Sequence, residues 1–285
     1  MPQRRAGLLS IAVLTAVLAA CAQGPPPADL QTAASNLAQR GDPRREADFQ
    51  LPAYRAIGQL VGTGRMCSGA LIGERTVLTA AHCLFDEQGR RTDPAVFVLG
   101  APAGSARTAL PVVAAGVAPE HRPRAAAPAG RDRQTVNAMQ ARHDWALLEV
   151  DPGGRTDLPV LRLASLTGAE EALARTTRLG LTLSGNSGDR PLVQQTHEGC
   201  RTNRILPNGI ISHNCEGLPG SSGAPILVRR DGEDVVGGVN VGRARTGLGG
   251  DDAEFGIAVP ANLVDLRVLR PPAPSRAPAG RRTPS

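Results

Sequence analysis

The chain has 285 residues, 41% of them hydrophobic and 20% charged, which is enough apolar material to bury a core as one large domain or two small ones and too much for a chain disordered throughout. Its net charge of +6 rests on 32 basic residues, all of them arginine. Arg4, Arg5, Arg276, Arg281 and Arg282 lie in two end segments without acids, and setting those five aside leaves +1 for the body, so no nucleic-acid partner is expected.

Two arginines precede an apolar run of 15 residues, Ala6–Ala20. That is shorter than the roughly 20 residues needed to span a bilayer and has the form of an export signal. Leu18-Ala19-Ala20-Cys21 resembles a bacterial lipobox, so residues 1–21 are read as a signal peptide with Cys21 acylated and holding the mature chain to a membrane. Ordinary cleavage after Ala20 or Ala22 is the alternative. Residues 22–50 begin polar and Pro-rich, as expected of a tether or pro-segment. The stretch 271–285, PPAPSRAPAGRRTPS, is expected to be a disordered tail. The folded region is therefore taken as 51–270.

Within it, short β-prone runs alternate with turn residues, the pattern of an all-β sandwich or barrel. The candidate strands are 65–73, 75–83, 95–100, 144–150, 158–164, 176–183, 223–229, 234–242 and 254–260, and Asn208-Gly209 between apolar residues marks a hairpin. Residues 101–143, rich in Ala, Pro and Arg, read as a long, partly irregular insertion. Residues 261–270, ANLVDLRVLR, read as one C-terminal helix.

Besides Cys21 there are four cysteines, Cys67, Cys83, Cys200 and Cys215. An even set in an exported chain points to disulfides, and the absence of any CxxC spacing argues against a zinc ribbon. Three pairings are open. No metal or cofactor is expected.

CEGLPGSSGAP, residues 215–225, sets two serines in a glycine- and proline-rich turn. A serine hydroxyl becomes a nucleophile only when a base takes its proton, and the base works best when a third group fixes its tautomer. LTAAHC places His82 at the end of one β-prone run, and RHDWALLEV places Asp144 at the start of another. Together, SGALIGERTVLTAAHC, DWALLEV and GSSGAP resemble the three signature segments of trypsin-like serine proteases, in that family's order His, Asp, Ser. The resemblance covers about residues 60–260 and implies two six-stranded antiparallel β-barrels of the chymotrypsin type.

The resemblance implies His82 as general base and acid, Asp144 as its orienting partner and Ser222 as nucleophile, with the backbone N–H groups of Gly220 and Ser222 as the oxyanion hole. Ser222 fits the family's flanking pattern through Gly220, Gly223, Ala224 and Pro225, whereas Ser221 does not. It further implies a Cys67–Cys83 bridge across the His82 segment, worth about 3 kcal/mol through the unfolded chain, which leaves Cys200 to pair with Cys215. His121, His143, His197 and His213 have no matching context and are read as structural or surface residues. Asp132 lacks the apolar run that follows Asp144. An α/β-hydrolase needs its His after its Ser, but the last histidine, His213, precedes Ser222; subtilisin order needs a suitable Asp before His82.

In pancreatic-type members an Asp before the nucleophile receives a new N-terminal amine; here Ser221 stands at that position, as is usual in the bacterial branch that resembles glutamyl endopeptidases. At the family's offset for the floor of the primary specificity pocket stands Glu216, with Asn240 and Gly242 on its wall. Basic, small or apolar, and acidic side chains before the scissile bond all stay open; the acidic choice is disfavoured because Val239 and Asn240 occupy the strand where glutamyl enzymes place a His. The expectation is an exported, lipid-anchored, monomeric serine endopeptidase acting on polypeptides. A catalytically silent binding module on the envelope is the alternative, and an esterase would use the same residues.

Overall fold

The computed structural model describes residues 28–123, 141–245 and 254–269. The signal segment with Cys21, the tail 271–285 and Asp132 lie outside the described residues.

Strands β2 (Ile57–Val61), β3 (Cys67–Gly73), β4 (Thr76–Thr79), β5 (Val96–Leu99), β6 (Ala109–Val117) and β7 (Ala146–Val150) close a barrel in the order β2-β3-β4-β7-β6-β5. A second barrel is built from β8 (Gly180–Ser187), β9 (Arg190–Ile205), β10 (Ile211–His213), β11 (Pro225–Arg230), β12 (Glu233–Arg245) and β13 (Glu254–Pro260). Its order is β9-β10-β13-β12-β11-β8, and pairing of β8 with β9 closes it. Both are antiparallel, so the expected all-β architecture of two six-stranded barrels is the observed one. The Asn208-Gly209 turn joins β9 to β10, with Gly209 at φ +85°.

One core cluster fills the first barrel around Phe97, Leu71, Leu78, Leu147 and Leu148 and runs on into Val236, Val239 and Val259 of the second. Another lies inside the second barrel around Leu181, Leu183, Ile226 and Val228. Since apolar burial is the main drive to fold, the two barrels are joined by a shared core. The bridges Cys67–Cys83 and Cys200–Cys215 are formed.

Several segments depart from expectation; residues 101–143, read as an insertion, supply β6 of the first barrel. Residues 158–164 form no strand; they run as an extended connector, with Leu161 N–H donating to Leu71 O in one barrel and Ala164 N–H to Val236 O in the other. The C-terminal helix is replaced by two 3₁₀ turns, Ala261–Leu263 and Leu266–Leu269. Val264 between them is extended, and the Asp265 carboxylate accepts from Arg267 N–H, starting a new turn instead of continuing the old. Residues 28–50 carry α1 (Ala28–Gln39) and β1 (Arg45–Glu46), which pairs with β9. Leu30 and Leu37 of α1 are buried. Two further helices, α2 (Pro52–Arg55) and α3 (Gly168–Arg175), are short, and Thr167 and Glu170 form a capping box on α3.

Candidate active site

β4 and β7 are neighbours in register, Thr79 opposite Ala146. The chain leaves β4 through the 3₁₀ turn Ala81–Leu84, which carries His82, and enters β7 from the turn that carries Asp144. Both residues therefore come to the same end of the same strand pair. His82 Nδ1 lies 2.8 Å from Asp144 Oδ2, and the His82 backbone N–H donates to Oδ1, also at 2.8 Å. The His82 side chain is 31% exposed and that of Asp144 9%. Burial opposes ionisation of Asp144 most strongly. The charge and two hydrogen bonds of His82, with a contribution from His121, nevertheless hold its carboxyl below the ordinary value.

Ser222 lies in the loop between β10 and β11, against the first barrel. Its carbonyl accepts from Ser68 N–H of β3 at 2.8 Å, and Cys83 Sγ, next to His82, is 3.9 Å from the same oxygen. Two glycines make this approach possible. Gly223 has φ +83°, and a Cβ there would come within 2.2 Å of both Ser68 O and Thr79 Oγ1. Gly220 has φ +109°, and a Cβ there would fall 2.8 Å from Ser187 Cα. Both facts explain the glycines of GSSG, since side chains are costly at such φ and in such space.

The peptide before Gly220 is also fixed. Pro219 O accepts from Gly188 N–H at 2.7 Å. In a trans peptide the next N–H points the opposite way, so Gly220 N–H faces away from Gly188. Ser221 is held differently: its carbonyl accepts from Asn240 Nδ2 at 2.9 Å and its Oγ lies 3.4 Å from the same nitrogen.

Sequence reasoning overlooked Ser68. Fully buried, its Oγ donates to Gly220 O at 2.9 Å and accepts from Asn186 N–H at 2.8 Å, so one hydroxyl joins the first barrel, β8 and the loop that carries Ser222. Its only sequence signal is a polar residue between Cys67 and Gly69 on a strand that is otherwise apolar.

The expected pocket residues have definite partners. The Glu216 carboxylate is paired with Arg243 at 3.1 Å, and Arg243 also lies 3.2 Å from Glu254. Glu216 N–H donates to His197 Nδ1 at 2.8 Å. Asn240 is buried and bonded to the Ser222 loop on both backbone and side chain, and Gly242, φ +140°, follows it at an irregularity of β12. His197 and His213, which showed no context in sequence, thus lie around this region. His213 is fully buried, with its ring filling the space above Gly256; burial, then the charge of Arg243, push its pKa down to about 3. Burial likewise lowers that of His197. His121 stacks on Phe85 at 5.3 Å, and His143 is 3.5 Å from Glu120.

Among the described residues, Cys67, His82 and Cys83 are close enough to suggest a metal site. Both sulfurs are bound in the disulfide, so neither offers a thiolate.

A family model described as a trypsin-like peptidase domain matches residues 67–237. Among solved structures, that of a Glu endopeptidase in complex with MPD is similar, with a TM-score of 0.57 and 18% identity, covering 77% of this chain and 92% of that one. At that identity the likeness is one of fold. No curated protein matches the chain.

Proposed function

The chain belongs to the trypsin-like peptidase domain family and is a serine endopeptidase, and on that premise we propose that Ser222, His82 and Asp144 perform the hydrolysis. Ser222 Oγ attacks the scissile carbonyl while His82 Nε2 takes its proton. Asp144, bound to Nδ1, fixes the tautomer and stabilises the imidazolium. The carbonyl oxygen, now an anion, is received by the N–H groups of Gly220 and Ser222. Collapse expels the amine, which takes the proton from His82, and leaves an acyl ester on Ser222. Water, deprotonated by His82, releases the acid and restores the hydroxyl.

The observation that carries this reading is the two-point contact of His82 with Asp144, with Ser222 held beside the His82 turn through Ser68 and Cys83. The Pro219 carbonyl bond to Gly188 supports the oxyanion assignment, because it turns the Gly220 N–H to the other side of the peptide. A fluorophosphonate probe should label the wild type and not Ser222→Ala. An unlabelled wild type that still folds would instead favour a silent binding module.

The two disulfides mark an extracytoplasmic protein, and among the described residues no helix is long and apolar enough to cross a membrane. We infer that Cys21 is acylated after export and tethers a monomeric enzyme to the envelope. Cys21→Ser should then release or stall the protein, whereas a soluble wild type beginning at Gln23 would rule out the anchor.

A further inference from the structure

We propose that residues 28–46 are a permanent brace for the oxyanion-hole loop, acting through the β8–β9 turn, with Arg44 as the positioning residue. The proposal rests on the assignment of Gly220 to the oxyanion hole.

Ser221 stands where an acid would receive an N-terminal amine, and its neighbour is Asn240. The order of the Pro219–Gly220 peptide must come from elsewhere. Its contacts lead to the turn between β8 and β9. Gly188 N–H donates to Pro219 O at 2.7 Å, and the Gly220 Cα packs on the backbone of Ser187 and Gly188 with no room for a side chain.

That turn is irregular, with a register shift between Asn186 and Ser187. What fixes it comes from the N-terminal segment. The Arg44 guanidinium, 3% exposed, donates to both oxygens of Asp189, at 3.2 and 2.8 Å, and to Ser187 Oγ at 3.0 Å. Its remaining donors go to both oxygens of Asp42, at 2.9 and 2.8 Å, and Asp42 also pairs with Arg190 at 2.7 Å. A planar fork bonded on both edges to carboxylates fixes direction as well as distance. An apolar contact reinforces it: Leu30 Cδ2 of α1 lies 2.4 Å from where a Cβ on Gly188 would stand. Pairing of β1 with β9, and Ala47 N–H donating to Gln194 O, anchor the segment to the same hairpin.

A donor that works only on the tetrahedral anion affects the transition state and not the bound substrate. Losing one such donor outright costs roughly a hundredfold to a thousandfold in rate. Loosening it should cost less, so Arg44→Ala is expected to lower kcat about tenfold to a hundredfold per active site, with KM within about twofold. Free guanidinium at millimolar concentration should restore part of that kcat in Arg44→Ala. Active sites are counted by the fluorophosphonate burst on the full mature chain. Asp189→Asn, which removes one edge of the fork without emptying the site, should give a smaller loss of the same kind and decides the matter if Arg44→Ala does not fold. Unchanged kcat per active site in the folded variant would overturn the brace, as would an active wild-type enzyme whose first residue lies beyond Arg44. A wild type that hydrolyses nothing and binds no probe would refute the protease assignment itself, a separate outcome.

Discussion

The two sides of the active site are held in different ways. His82 and Asp144 lie on turns at the same end of two adjacent strands of one barrel, and the β4–β7 register brings them together. Ser222 sits on a loop whose conformation is fixed from outside its own strands: by Ser68 of the other barrel, Asn240 of β12 and Gly188 of the β8–β9 turn. The side proposed to hold the base is thus a product of sheet pairing, while the side proposed to hold the nucleophile depends on side chains and on glycines that permit close approach. Substitutions on the base side should change the chemistry and leave the geometry; those around the loop should alter geometry as well.

The sharpest contrast lies within the loop. Ser222→Ala should lower kcat on the order of a millionfold, while Ser221→Ala, which removes only a long contact to Asn240 Nδ2, keeps most of the activity. Equal losses in steady-state kinetics would break the assignment. On the base side, Asp144→Asn should cost about ten thousandfold in kcat by selecting the wrong tautomer, with melting behaviour close to wild type. Extensive unfolding would mean that Asp144 serves the loop more than the base.

Ser68→Ala probes the link between the sides. It leaves Gly220 O and Asn186 N–H short of a buried partner, which should cost about 1–3 kcal/mol in denaturant unfolding, with a fall in kcat. A loss of stability with kcat intact would separate Ser68 from the oxyanion loop.

His213 lies behind the same loop, neutral and buried beside Arg243. Its folded pKa of about 3 is below the ordinary histidine value, so the unfolded chain binds a proton near pH 6.5 that the folded chain refuses until about pH 3. Its contribution is therefore fully present above about pH 6.5 and is lost as the pH falls toward 3, about 2 kcal/mol of it by pH 5. His213→Gln should flatten that limb of a stability–pH profile; an unaltered slope would show that His213 is not the group responsible.

The smallest effect concerns specificity. Glu216 is paired with Arg243, so a cationic side chain before the scissile bond has less to gain there than at a bare carboxylate. Arg243→Ala should raise the Arg-to-Leu ratio of kcat/KM several-fold, by about 1 kcal/mol, and Glu216→Gln should not. If neither variant moves the ratio, Glu216 does not line the pocket.

What was legible in the sequence follows the same division. His82, Asp144 and Ser222 each sit in a short local pattern at a strand end or tight turn, and local patterns survive in a single sequence. β9 escaped because Gln194, Gln195 and Thr196 are polar yet buried, Gln194 and Thr196 with hydrogen-bond partners, so no apolar alternation marks it. β6 was hidden by Pro111 and by the exposed neighbours Val113 and Ala114, which leave no regular alternation. Residues 158–164 misled in the opposite sense: a largely apolar run that serves as a connector between barrels, with only Leu161 buried, looks like a strand. Residues 28–50 looked like tether because the partners of Arg44 at Asp189 and of Leu30 at Gly188 are far along the chain. Contacts at such separations have no signature in composition or period.

The central claim, that this chain hydrolyses through Ser222 with His82 as its base, is tested most directly by mapping the fluorophosphonate adduct by mass spectrometry of digested protein. The expected result is a single adduct on Ser222 in the wild type and almost none in His82→Ala. An adduct on Ser221 or on another residue, or equal labelling of Ser222 without His82, would contradict it.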